Sequence, residues 1–407
     1  MIRMKRLTGL VCSAASILAL ICLGGPRPAL AQGQFIVEPR VDAGWRYDSN
    51  FHRSETNEQG VDTFFLKPGM ALGYTTDKTE VTLDYDAKAY RYNDRDGVAA
   101  GSLAADDFNY VEHRAALAAE SRISRRILLG VENMLWVTRD PANADANSNA
   151  VDRYKYTLNR FQPKLVYNFG SRFGMGLTYT NLITDYTYDA PGKGEDSEEN
   201  RGGFTLFYYL NSDTSVDLDY QIWNRDYERA SSDYDSQQVM VNVNKQFNYL
   251  TVSLGAGYHG RDFDENLAGG DIETFVWKLA LAGQNPQDAK RRPRQSIYFS
   301  VGKNFNDAGS GNTYYEATRV DAAVSRLFFE KINLKLAGWY QNADYQTSSR
   351  KDDAWKASLA VDHWVNDALS WGVEGGLEER DSNQSGNDYD NRYLMVNVNF
   401  NYDMGSR

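Results

Sequence analysis

Four histidines, His52, His113, His259 and His363, are the only imidazoles in the chain, so acid–base or metal chemistry has to be sought there first. Asp362 beside His363 has the residue types of a catalytic pair. In an extended chain, however, adjacent side chains point to opposite faces and cannot meet as base and orienter. His113 and His363 share the parity of the apolar residues on their segments, His52 falls in a loop, and His259 alone has inward parity near a segment end. No G-x-S-x-G elbow and no H-E-x-x-H helix occurs. The expectation is a protein that is not an enzyme, with no cofactor and no metal.

Carboxylates crowd three stretches, DSEEN (Asp196 to Asn200), DFDEN (Asp262 to Asn266) and DSNQSGNDYDN (Asp381 to Asn391), which read as loops. They could hold calcium or be bridged by divalent ions to lipid phosphates. They fit a solvated loop surface as well, and none has EF-hand spacing. Basic residues gather elsewhere: Lys290, Arg291, Arg292 and Arg294 in one reversal, Arg122, Arg125 and Arg126 in another. Such a cluster could steer an anionic polymer or an acidic partner, or be ordinary charged turn chemistry.

The elements that carry these residues follow one pattern, seen plainly in YLMVNVNFNYD, Tyr393 to Asp403. Leu394, Val396, Val398, Phe400 and Tyr402 alternate with Asn397, Asn399, Asn401 and Asp403. Strict alternation marks a strand with one oily and one wet face. Similar runs recur from FIVEPRVDAGWRYDSN onward, joined in rotation by short turns and longer polar loops. Eight short turns and nine loops give 17 connections and about 18 strands, with both termini on the short-turn side.

Parity then sorts the charged residues. Arg40, Arg46, Lys67, Asp84, Asp86, Lys88, Glu132, Lys164, Asp217, Asp219, Lys278 and Glu374 take the face opposite the apolar one. In a dry soluble core each unpaired ion would cost several kcal/mol, whereas in a hydrated bore it needs no partner. Outward aromatic residues near both segment ends suit two lipid–water boundaries, among them Tyr74 and Trp371 near the turns and Trp45 and Phe275 near the loops. The fold class is therefore an all-β, transmembrane, antiparallel up-and-down β-barrel. Its size leaves a water-filled lumen. Trp136, Trp223, Trp339, Tyr90 and Tyr298 have inward parity, either as surfaces for sugar rings or as fillers over inward glycines.

Composition agrees. Residues 1–31 read as a cleaved secretory signal: Arg3, Lys5 and Arg6, an apolar run, then Ala29-Leu30-Ala31. Both cysteines, Cys12 and Cys22, fall within it. Its removal takes away four basic residues and no acidic one, moving the net charge from −11 to −15, which argues against nucleic acid. Residues 32–407 form a single barrel domain. No loop reaches about 25 residues, so a long infolded constriction loop is not expected.

FIVEPRVDAGWRYDSNF followed by FFLKPGMALGYTTDKTEVTLDYDAKAYRY resembles the start of the putative β-barrel porin family, and YLMVNVNFNYD resembles its final strand. These outer-membrane barrels are often associated with exopolysaccharide secretion. The resemblance implies a passive conduit for such a polymer, with a general small-solute porin or a non-conducting structural barrel as alternatives. Expected partners are outer-membrane lipid and lipopolysaccharide, the barrel-assembly machinery and periplasmic polysaccharide-export proteins.

Overall fold

A computed structural model describes residues 33–98, 103–140, 153–187, 195–228, 232–264, 270–285, 292–307 and 314–402. The expected signal segment 1–31 lies outside them. Eighteen strands follow in order: β1 (Gln34–Asp48), β2 (Val61–Thr75), β3 (Thr79–Asp94), β4 (Tyr110–Arg122), β5 (Ile127–Thr138) and β6 (Tyr156–Asn168). Next come β7 (Phe173–Tyr186), β8 (Ser197–Asn211), β9 (Thr214–Tyr227), β10 (Tyr234–Gln246), β11 (Leu250–Phe263) and β12 (Ile272–Asn285). The last are β13 (Gln295–Asp307), β14 (Tyr314–Phe328), β15 (Ile332–Tyr345), β16 (Lys351–Trp364), β17 (Leu369–Ser382) and β18 (Tyr389–Asn401). The only helical piece among the described residues is a 3₁₀ turn, Ala105–Phe108.

Each strand pairs antiparallel with its sequence neighbour, and β1 also pairs with β18 from Arg40↔Asn401 to Asp48↔Tyr393. That last ladder closes the sheet and removes its edges. Reversals at 76–78, 123–126, 169–172, 212–213, 247–249, 329–331, 365–368 and 286–294 define one rim, where both ends of the barrel chain also lie. The expected architecture, strand number and turn positions are all found.

Register carries alternation around the ring. Leu66, Met70, Leu83, Leu206, Leu254, Leu336, Leu359 and Val398 are exposed large apolar residues on the outer face, a belt that lipid would cover. The glycines at inward positions make room for neighbours: a β-carbon on Gly376 would collide with the ring of Tyr393, and one on Gly176 would press on Phe207.

One seam departs from this regularity. β12 and β13 pair only between Trp277↔Lys303 and Asn285↔Gln295, although β12 starts at Ile272 and β13 continues to Asp307. Beyond the last pair β13 stays joined to β14, through Asp307↔Tyr314. Lys303 shares the outer parity of Trp277, yet its Nζ donates to Thr274 Oγ1 at 3.1 Å, on the inner face of β12. Phe305, two residues on, stacks against inward Arg261 and His259 of β11, at 4.5 and 5.8 Å between centres. The end of the β13–β14 hairpin therefore passes inside its neighbours. Tyr314 fixes it there by donating to Ser232 O at 2.9 Å and packing on Phe263.

Candidate functional site

The bore is the candidate site, and its inner wall is set by register. Arg40 stands opposite Gly69, which stands opposite Asp86. With no side chain on Gly69, the guanidinium lies across it, giving 2.6 and 2.5 Å contacts to Asp84 and a 3.2 Å contact to Asp86. Lys67 Nζ adds a 3.3 Å contact to Asp86, which is 1% exposed. Lys164 pairs with Glu120 at 2.8 Å, Asp217 accepts from Asn244 at 2.5 Å, and Asp219 accepts from Gln221 at 3.3 Å. Glu132 and Lys278 face the bore on the register of Ala118 and Gly255. A wet bore did not require these pairings, but adjacent strands of opposite charge supply them.

Nearer the loops the wall carries cations laid on rings. Arg114 lies over Trp136 (5.9 Å), Arg201 over Trp223 (4.1 Å) and Arg319 over Trp339 (4.5 Å). Arg201 also bonds Glu199, and Arg319 bonds Asp321. Arg46 chelates Asp48 at 2.7 and 2.6 Å and lies over Tyr393, whose hydroxyl donates to Glu374 at 2.6 Å. Each inward tryptophan thus has a guanidinium on it. Such stacks stiffen the wall and occupy a ring face that the sugar-sliding reading left free.

The mouth holds residues that parity could not find. In the β1–β2 loop (49–60), Arg53 reaches Glu378 of β17 at 3.2 Å and lies over Tyr389 of β18. Phe51 packs on Tyr92 of β3 and on Phe108, and Arg153 donates to Phe51 O at 3.1 Å with its guanidinium over the ring. Glu378, Tyr389 and Tyr92 all have inward parity, so this loop of twelve residues folds into the bore. It is not a long constriction loop: anchors on the flanking strands β17, β18 and β3 hold a short one inward.

The other sequence candidates are placed as follows. Asp362 points inward and accepts from Asn333 at 3.4 Å, while His363 stacks outward on Trp371, so that pair is split. His113 also faces out, 3.0 Å from Tyr85 Oη, and His259 is packed between Trp223 and Phe305. Of the basic turn, Arg292 pairs with Asp367 at 3.4 Å and lies over Trp364, and Arg294 pairs with Glu330 at 3.7 Å. Lys290 and Arg291 lie outside the described residues. The acidic stretches prove to be largely strand ends: Ser197 to Asn200 open β8, and Asp381 and Ser382 close β17. Among the described residues no group of three or more His, Cys, Asp or Glu is placed to hold a metal.

A polar bore, an apolar outer belt and closure without edges narrow the choice of family. Residues 250–402, which hold β11 to β18, match the family model described as Putative beta-barrel porin 2. Over those residues the chain is similar to that β-barrel porin family. The match bears out the resemblance read from the sequence. Solved structures similar to this chain include OpdK of Pseudomonas aeruginosa with vanillate, at 13% identity and TM-score 0.47, covering 90% of this chain and 99% of that one. OccK2 (OpdF) of Pseudomonas aeruginosa in complex with glucuronate is 10% identical with TM-score 0.49, covering 91% and 98%. OccAB1 of Acinetobacter baumannii is also 10% identical with TM-score 0.49, covering 93% and 100%. A comparison with curated proteins finds no match.

Proposed function

We propose that this barrel is a passive channel for small polar solutes. One observation carries the reading: the bore is narrowed from both sides near the loops, by the β1–β2 loop latched through Arg53 and Glu378 and by the infolded β13–β14 hairpin. Chain folded inside the wall leaves less room for a hydrated polymer than for a small solute. Mixed inward charge, with Arg40 and Lys67 matched by Asp84 and Asp86, favours low discrimination between ions.

Export of an exopolysaccharide has less support, since the inward rings that suited a sliding chain carry guanidinium groups and Arg292 and Arg294 are paired. In this reading the lipid belt sits in outer-membrane lipid and lipopolysaccharide, where the barrel-assembly machinery would place it after signal cleavage. The deciding experiment is liposome swelling with a size series of neutral sugars, beside surface-polysaccharide assays of a deletion strain. Swelling that falls off with sugar size, with polysaccharide unchanged, is expected. Loss of polysaccharide would instead favour the export conduit, and a barrel that passes nothing would be a scaffold.

A further inference from the structure

The two strands at the open seam have more to pair with than they use. On the turn side their ladder runs from Asn285↔Gln295 to Trp277↔Lys303. Carried on in the same register, Val276 would face Asn304, Phe275 would face Phe305, Thr274 would face Asn306 and Glu273 would face Asp307. All of these residues lie in strands, yet none of these rows forms. The backbone groups that the two segments would turn toward each other have no ladder partner among the described residues. An unpaired strand edge is a template for pairing.

Side-chain parity suits the unused register. Ile297, Phe299 and Val301 face outward from the paired part of β13, and Phe305 continues their alternation. In the extended ladder its ring would stand beside Phe275, which is 57% exposed on the outer face. It lies instead inside the wall, against Arg261 and His259, so the two phenylalanines are on opposite sides of the sheet. That position is held by the stack on Arg261, by Tyr314 on Ser232 O, and by Lys303, which meets Thr274 at 3.1 Å and Glu316 at 2.8 Å. The extended ladder would exchange these contacts for the missing backbone hydrogen bonds and an outward aromatic pair. Two arrangements that exclude each other, each with its own contacts, make a two-state element.

We propose that the loop-side end of β13 and β14 is a gate with two positions: lapped inside β12, as seen, and zipped onto β12 with Phe305 outside beside Phe275. Zipping draws chain out of the bore and into the wall, so the zipped position has the wider bore. The effect on passage rests on the channel reading, whereas the two positions of Phe305 do not.

The test is a cross-strand disulfide. The full chain carries Phe275→Cys and Phe305→Cys, with Cys12 and Cys22 changed to alanine so that no other thiol is present. Directly opposed residues of an antiparallel pair lie within disulfide reach, and residues on opposite faces of a sheet do not. Leu279→Cys with Val301→Cys, opposed in the ladder as it stands, serves as the pair that bridges without movement. Each barrel is folded in detergent under reducing conditions, checked by heat-modifiable gel migration, and then oxidised. Bridging of 275 to 305 is expected, read by mass spectrometry of the folded band. In planar bilayers the bridged form should conduct more than its reduced form and return to the lower level on reduction, while the 279–301 bridge changes nothing. The parent barrel should step at times to the same higher level. No bridge between 275 and 305 in the folded barrel, or a bridge that leaves conductance unchanged, would overturn the gate. A barrel that bridges yet passes no current in either form would instead overturn the channel reading and leave the two positions standing.

Discussion

Asp86 illustrates how a charge is held in a wall that water can reach. It is buried because Arg40 and Lys67 close over it, and Arg40 reaches it only because Gly69 intervenes without a side chain. Asp86→Ala would leave Lys67 without its carboxylate beside Arg40, which keeps Asp84, so a loss of about 1–2 kcal/mol is expected in urea unfolding of the folded barrel. Glu132→Ala, with no ion pair to break among the described residues, should stay within about 0.5 kcal/mol. A second prediction concerns Glu58 in the β1–β2 loop. Desolvation raises its carboxyl above the ordinary range, and the neighbouring Asp390, through its charge and a shared hydrogen bond, raises it further. A raised acid holds its proton more tightly in the folded state, so loop attachment is strongest below the ordinary carboxylate range and weakens as pH rises through it. Protection of residues 49–60 against hydrogen exchange, taken relative to the intrinsic rate at each pH, should therefore fall as pH rises through and above the ordinary carboxylate range. Glu58→Gln should flatten that dependence.

At the scale of elements, the β1–β2 loop is a strap. Its anchors lie on β17, β18 and β3, with Arg153 on the far side of Phe51. Removing two of them, in the double variant Phe51→Ala, Arg53→Ala, should release the strap and raise single-channel conductance above that of the parent. Conductance unchanged by this variant would mean that the loop does not set the narrowest section. The β13–β14 hairpin is held by a different device, the stack of Arg261 between Tyr234 and Phe305 at 3.8 and 4.5 Å. Loss of the Phe305 ring would remove a buried aromatic worth about 3 kcal/mol. These two elements were not legible in the sequence. Period-two parity assigns a side chain to a face only while the strand stays in the wall, and it says nothing where chain leaves the ladder. Phe51, Arg53 and Arg153 gave one unused signal, since an aromatic residue and two arginines in the longer loops need partners.

The molecule as a whole is a closed ring of ladders with an apolar face outside and a polar face within. Leu336 and Leu359, directly opposite on β15 and β16, are 56% and 50% exposed on the outer face. Leu359→Arg places a charge where lipid would be, at an expected cost of about 2–4 kcal/mol near mid-membrane. Ala360→Arg, one residue on, turns the same side chain into the bore and should cost little. The comparison is made by folding both variants into liposomes and measuring urea stability, and equal costs would place the membrane elsewhere. Parity made this contrast readable from the sequence wherever the strand stays in the wall, which the end of β13 does not.

The sequence by itself determined the strand number, the turn positions, the closing of the ends on one rim and which strand side chains face inward, the end of β13 excepted. Each of those follows from local alternation and from the length of chain between turns, and neither depends on distant contacts. The tertiary structure alone decided which inward charges meet, because Arg40 finds Asp86 through two ladder registers and a glycine. It also decided that the seam between β12 and β13 opens and that a loop of twelve residues folds inward over β17, β18 and β3. Those outcomes balance packing on residues far apart in the chain, which no local period encodes.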